Sequence, residues 1–298
     1  MNSHKLKVVF GGCARDCAKY LPKTLENIKF YSSLFKESYT IIVENGSKDN
    51  TKEILKKNKN YNNFFLFRED INKLPYRGQR LEFSRNLIIE TIKNNSKLKN
   101  CDLFIMMDLD DMGNYKIEEK NIISSLNFLF SDEKNGAVFA NQLGTYYDMW
   151  TLRDDKYCKD DFWGEVLKLL IKNKNSHEDI SIENFKRAEN EFINKKTISF
   201  KKEHPPILVN SAFGGFGIYK MKYVLQNKNK YLGTQLIELI SKDGKKFQLK
   251  YQKCEHVNFN TGLVNQNLKL YILPYLINRG FEENFFPPQV ALNFIIKN

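Results

Sequence analysis

Residues 106–111 read Met-Met-Asp-Leu-Asp-Asp, which puts Asp108, Asp110 and Asp111 within four positions at the end of an apolar run. Carboxylates this close repel one another unless a cation sits among them. If the run is a strand, alternation points Asp108 and Asp110 to the same side, where two hard oxygen ligands reach one Mg²⁺ or Mn²⁺. Such an ion also binds diphosphate and neutralises the charge that develops on a nucleotide leaving group. An acidic turn that caps the following helix would give the same residues a structural role. The hexapeptide alone does not choose between the two.

Other residues suited to chemistry are dispersed. Glu255 and His256 adjoin; a neutral imidazole can complete a carboxylate metal site, and a carboxylate can take a proton from an attacking hydroxyl or orient a ligand. On an extended segment neighbours point to opposite sides, whereas a turn or helix start lets both face one site. Arg77, Arg80 and Arg85 supply guanidinium forks that suit diphosphate. Gly214-Gly215 lets backbone approach a ligand closely, although glycine pairs also make plain turns. Trp150 and Trp163 could stack on sugar rings or pack in the core. His4, His177 and His204 fall in a terminus, a charged segment and a loop.

The elements that must position these residues alternate through the first 140 residues as βαβ units do. Residues 7–10 predict a strand running into Gly11-Gly12, followed by a helix with Leu21, Leu25 and Ile28 on one face. Residues 39–43 predict a second strand, with turn chemistry at 44–47 and a helix capped at Asp49-Asn50-Thr51. Strands follow at 64–67, 103–107 and 136–140, with a helix over 83–92. Apolar strands without polar alternation imply a mostly parallel sheet covered on both faces. Residues 160–200 are charged and read as helical, Pro205-Pro206 precedes a strand, and the end carries Pro274, Pro287 and Pro288. With no repeat or linker, residues 1–298 read as one domain.

A chain of 298 residues with 42% hydrophobic and 13% aromatic content can build a substantial core and is not disordered. No run approaches the ~20 apolar residues that span a bilayer, and the start lacks a secretory signal. Five scattered cysteines read as reduced thiols, so a cytoplasmic location is expected. The net charge of +12 favours polyanions. Most of the excess lysine alternates with Asn, without stacking aromatics, so nucleic acid is not an expected partner. A lysine face would still suit peripheral contact with an anionic membrane surface.

Residues 41–51, Ile-Ile-Val-Glu-Asn-Gly-Ser-Lys-Asp-Asn-Thr, resemble the second-strand segment of GT-A nucleotide-sugar glycosyltransferases. Cys13-Ala14-Arg15-Asp16 with Tyr20-Leu21-Pro22 looks like their first loop, residues 81–86 like their "ARN" segment, and Asp108-Leu109-Asp110 like their DxD motif. Residues 141–153, 210–219 and 254–257 are similar to segments of the Cap59/Cmt1-type capsule mannosyltransferases. The resemblance implies an α/β GT-A fold whose nucleotide-binding half is 1–111 and whose acceptor half is 112–298. It implies a nucleotide-diphosphate sugar bound by Ala14, Arg15, Glu44, Arg77, Arg85, Asp108, Leu109, Gly214 and Gly215, with Glu44 on the nucleoside. Asp108, Asp110 and His256 would hold Mn²⁺ or Mg²⁺, and Glu255 would be the catalytic base for a glycan or other hydroxyl acceptor if the reaction inverts the anomeric centre, or an orienting group if it retains it. A nucleotidyltransferase of related fold and a basic nucleic-acid-binding protein are the alternatives. The first would carry a Gly-rich basic loop after strand one, which Gly11-Gly12-Cys13-Ala14-Arg15 matches poorly.

Overall fold

In the computed structural model, residues 2–156, 158–159, 161, 198–240, 246–280 and 295–296 are described. The charged stretch expected to be helical over 160–200, including Trp163 and His177, lies outside them apart from a few residues at its ends.

The apolar runs predict a parallel sheet, and one forms. Strands β1 (Lys7–Ala14), β2 (Glu37–Glu44), β3 (Asn63–Phe67) and β4 (Leu103–Asp108) pair in parallel in the order β3-β2-β1-β4. The sheet continues through β7 (Phe216–Lys220), β5 (Asn135–Leu143), β10 (Lys269–Gly280) and β6 (Ile207–Val209). β7 runs antiparallel to both β4 and β5, β10 runs parallel to β5, and β6 closes the far edge antiparallel. A second sheet holds β8 (Thr234–Ile240) and β9 (Lys246–Gln252) as an antiparallel pair, with β11 (Ile295–Ile296) on β9.

Helices cover both faces of the large sheet. One face carries α1 (Leu21–Ser32) and α5 (Glu119–Ser131), whose Ile28, Tyr31, Ile122 and Leu126 pack on Val8, Phe10, Ile42 and Ile105. The other carries α3 (Arg77–Asn94), α6 (Met221–Gln226) and α7 (Glu255–Val264), whose Ile88, Ile92, Val224 and Phe259 pack on Val9, Ile41, Val43 and Phe104. Burial on both faces is why these strands lack alternation. Two short helices, α2 (Thr51–Lys57) and α4 (Ser96–Lys99), complete the first half.

Two expectations shift. Strand β1 does not stop before Gly11-Gly12 but runs through them to Ala14, because β2 pairs along its whole length and β4 from Val8 to Cys13. The glycines serve close packing: a Cβ on Gly12 would lie 2.7 Å from Leu109 Cγ, and one on Gly11 would lie 2.8 Å from the Phe104 ring. Helix α3 starts at Arg77, well before the predicted 83, and so brings Arg77 and Arg80 into its first turn. Gly12→Ala is therefore expected to displace Leu109 and lower stability by ~1–3 kcal/mol, as overpacking does. Chemical denaturation would measure it; unchanged stability would mean that Leu109 yields freely.

Candidate functional site

Parallel sheets leave a crevice beyond the carboxyl ends of their strands. Here Ala14, Glu44 and Asp108 are the last residues of β1, β2 and β4, and Cys13 is in register with Asp108. The loops beyond β1 and β2 are laced together. Asp16 N–H donates to Ser47 Oγ (3.0 Å), Lys48 N–H to Asp16 Oδ1 (2.6 Å), Cys17 N–H to Thr51 Oγ1 (3.0 Å) and Ala18 N–H to Asp49 Oδ2 (2.9 Å). Asp16 accepts a left-handed φ of 47° to make this seam. Glu44 is fully buried; its Oε1 accepts from Ser47 N–H at 2.5 Å, while Oε2 is buried without a protein partner.

The arginines divide. Arg85 is 4% exposed, with Nη2 donating to Asp108 Oδ1 (3.1 Å) and Nη1 donating to Glu255 Oε1. Its guanidinium also lies 5.0 Å from the centre of the Phe213 ring. Burial opposes the charge, but Glu255 and Asp108 outweigh it and hold the Arg85 pKa above the ordinary arginine value. The expected meeting of Arg85 with a diphosphate is thus not what the geometry offers, since its two terminal nitrogens are committed to protein carboxylates. The exposed Arg77 and part-buried Arg80 and Arg15 remain on the open side. Arg77 and Arg15 both press the Arg80 pKa down, after burial, which marks three like charges gathered in one place. Arg15 Nη1 is buried without a partner.

Asp108 Oδ2 accepts from the Tyr147 hydroxyl at 3.3 Å, so both of its oxygens are engaged. Leu109 is 1% exposed and its side chain is turned into the core, so it serves the site by packing rather than as a side-chain contact. Asp110 is exposed as a residue and accepts from Met112 N–H at 3.1 Å. The protein around its carboxyl, and then the charge of Asp108, push its pKa up to about 7. No group of three or more His, Cys, Asp and Glu able to hold a metal occurs among the described residues.

Glu255 and His256 open α7, so the chain is helical rather than extended at this dipeptide. His256 is 1% exposed, its ring stacked on Phe213 at 3.9 Å and edge-on to Tyr231 at 5.4 Å. Burial, and then the charge of Arg85, hold its pKa well below the ordinary imidazole value, so the ring is neutral. It is enclosed by aromatics rather than set beside the aspartates as the resemblance implies, and its close carboxylate is Glu255, 3.8 Å away.

The floor of the crevice is Gly214-Gly215, at φ of 63° and 79°. Gly214 N–H donates to Asp148 Oδ2 (2.9 Å), and its carbonyl accepts from Gln142 Nε2 (2.9 Å) and Asn278 Nδ2 (2.5 Å). Gly215 carbonyl accepts from Asp108 N–H at 2.9 Å, tying the floor to the strand end. A Cβ on Gly214 would lie 2.4 Å from the Ala140 carbonyl oxygen. The sequence reading assigned no role to Tyr147, Asp148, Gln142 or Asn278. The segment 141–153 singled out above was the available signal for Tyr147, Asp148 and Gln142; Asn278 had none.

Removing Arg85 leaves Glu255 buried and uncompensated, so Arg85→Ala is expected to cost ~3–5 kcal/mol of stability. Denaturant unfolding measures this, and a loss below ~1 kcal/mol would show the pair to be loosely held. Asp148 is buried, which pushes its carboxyl up to about 7. The folded chain then keeps a proton that the unfolded chain releases, from about pH 4 up to that value, and stability falls as pH rises through the window. Asp148→Asn cannot ionise and still offers an oxygen to Gly214 N–H. Its stability relative to the unsubstituted protein should therefore rise between about pH 4 and about pH 7. A difference independent of pH would place the Asp148 pKa in the ordinary range.

The chain matches no protein-family model and no curated protein. Among solved structures it is similar to the mannosyltransferase of Pyrobaculum calidifontis in complex with GDP-Man and Mn²⁺, at 12% identity and a TM-score of 0.34, over 46% of this chain and 36% of that one. It is similar to Staphylococcus aureus TarS 1-349, at 13% identity and a TM-score of 0.46, over 90% of this chain and 58% of that one. A third is glucosyl-3-phosphoglycerate synthase from Mycobacterium tuberculosis in complex with UDP, at 12% identity and a TM-score of 0.42, over 95% of this chain and 73% of that one. The chain thus spans well under two thirds of the first two structures it resembles.

Proposed function

We propose that the chain is a glycosyltransferase that takes a sugar from a nucleotide-diphosphate donor bound in the crevice beyond β1, β2 and β4. The observation that carries this reading is the division of charge there. Among the described residues Arg15, Arg77 and Arg80 have no ion-pair partner but Asp16, and they gather at the end of the sheet where Glu44 keeps a buried carboxylate oxygen and Asp108 and Asp110 stand. A nucleoside diphosphate suits all of these features. Its phosphates would answer Arg15, Arg77 and Arg80 through charge-assisted bonds, and a nucleoside N–H or O–H would donate to Glu44 Oε2.

Mn²⁺ or Mg²⁺ fits this donor set. Asp110 offers a carboxylate bonded only to Met112 N–H, while Asp108 already accepts from Arg85 and Tyr147, so phosphate oxygens and water would supply most of the shell. Asp110 would be the principal protein ligand, with Asp108 beside it. A bound cation would offset the charge that develops on the departing diphosphate. Gly214-Gly215, buried beside the end of β4, would let the sugar come close because neither carries a side chain. Glu255, locked to Arg85, acts here by fixing the guanidinium that holds Asp108, rather than as a base.

Thermal melting against GDP- and UDP-sugars, with and without Mn²⁺, tests the reading, because a ligand bound only by the native state raises its melting temperature. One nucleotide sugar is expected to stabilise the protein, and more strongly with Mn²⁺. Asp110→Asn should remove the Mn²⁺ increment and abolish transfer. Arg77→Ala should weaken nucleoside diphosphate by ~1.5–3 kcal/mol, the range for a charged hydrogen bond, and leave free nucleoside unaffected. No stabilisation by any nucleotide sugar would overturn the proposal.

A further inference from the structure

The chain leading into α7 forms a second concavity. It measures about 480 Å³ and is lined by Leu232, Thr234, Gln235, Leu236, Lys250 and Lys253. Leu236 and Lys250 lie directly opposite one another on β8 and β9, and Thr234 is paired with Gln252 on the same face, while Gln235 between them belongs to the other face. That face is joined to the crevice described above. Gln252 Oε1 accepts from Gly78 N–H (3.0 Å), Lys253 N–H donates to the Gly233 carbonyl (3.1 Å), and Gly233 N–H donates to Glu82 Oε2 (2.8 Å). Gly233 and Gly78 meet backbone to backbone, leaving no room for a side chain on either. The groove thus borders the first turn of α3, where Arg77 stands, and Lys253 lies two residues before Glu255.

Its chemistry is mixed in a particular way. Leu232 and Leu236 are 36% and 59% exposed, an apolar surface left facing water. Lys250 and Lys253 stand beside them. Burial presses the Lys253 pKa down, while the nearby Asp161 raises it and Arg153 lowers it in turn. An occupant with an apolar chain and an anionic head satisfies both halves at once. A neutral glycan satisfies neither.

A separate observation points the same way. A hydroxyl acceptor attacking with inversion needs a protein base. Glu255 is 2% exposed and held against Arg85, His256 is 1% exposed between two aromatic rings, and Asp148 is committed to Gly214 and Thr151. A phosphate oxygen is already ionised at neutral pH and needs none of them.

We propose, resting on the glycosyltransferase reading, that this groove seats the acceptor and that the acceptor is a lipid phosphate. An ionised phosphate oxygen attacks the anomeric carbon with its own lone pair. The bond from that carbon to the diphosphate oxygen breaks, and its electrons leave on the nucleoside diphosphate. No proton is transferred, and the products are a sugar-phosphate lipid and the free nucleoside diphosphate. Leu232 and Leu236 hold the first part of the lipid chain, while Lys250 and Lys253 hold the head.

The full chain, with Mn²⁺ and its stabilising nucleotide sugar, is to be floated with neutral phosphatidylcholine vesicles doped with a polyprenyl monophosphate. Parallel samples contain polyprenyl alcohol, phosphatidylglycerol, or undoped vesicles with soluble glycerol phosphate. Transfer of radiolabelled sugar to each additive is counted in the same samples. Flotation and labelling are expected with polyprenyl monophosphate alone. Leu236→Asp should reduce flotation by about tenfold or more, the size of one leucine's burial. Lys250→Glu should act in the same direction, and in both variants the shift in melting temperature given by the nucleotide sugar should persist, showing an intact fold and donor site. Equal flotation with phosphatidylglycerol would mean general docking on anionic surfaces and would overturn the acceptor assignment. Labelling of polyprenyl alcohol or glycerol phosphate would overturn it too, as would flotation unaffected by both variants. Loss of the nucleotide-sugar shift in the unsubstituted protein would instead sink the glycosyltransferase reading itself.

Discussion

The crevice depends on one buried cation. Arg85 reaches from the middle of α3 to the end of β4 through Asp108 and to the start of α7 through Glu255, and almost none of it meets solvent. A guanidinium in that position is costly unless both carboxylates stay in place. The three elements therefore hold their relative positions as a unit, with Phe213 covering the guanidinium. The same contacts account for the division of labour among the basic residues. The arginine with the strongest motif behind it is held by two protein carboxylates, whereas Arg80 donates to the Leu74 and Pro75 carbonyls and Arg15 lies beside Asp16.

Much of the fold was legible in the amino-acid sequence because apolar runs in a two-faced sheet are strong signals. Strands β2, β3, β4 and β5 fall within a few residues of their predicted positions, and α1 shows the predicted Leu21 and Ile28 burial. The errors have physical causes. Gly11-Gly12 looked like a strand terminus because glycine usually punctuates; here it makes room for Phe104 and Leu109. Helix α3 looked short because Gly78, a poor helix former, interrupts its first turn; contact with Gly233 and Gln252 fixes that turn.

The site was legible to a smaller degree. Residue type placed Asp108, Glu44 and Gly214 at strand ends and turns, where the structure has them. It could not reveal which charges cancel one another, because Arg85 and Glu255 are separated by 170 positions along the chain. Nor could it show that His256 begins a helix inside an aromatic box, since a Glu-His dipeptide is equally consistent with a surface loop. Pairing across long separations is what sequence spacing conveys least.

The place of β7 in the sheet has a consequence for how the chain is made. Phe216–Lys220 slots between β4 and β5, both of which leave the ribosome long before it. Until it arrives, Leu103–Met107 presents a bare edge of backbone N–H and C=O groups with apolar side chains, the kind of edge that recruits strands from other molecules. The first half of the chain is thus a nucleus that must wait, and truncation between β5 and β7 would leave it adhesive rather than merely incomplete. Holding that edge closed during synthesis falls to chaperones or to the speed of elongation.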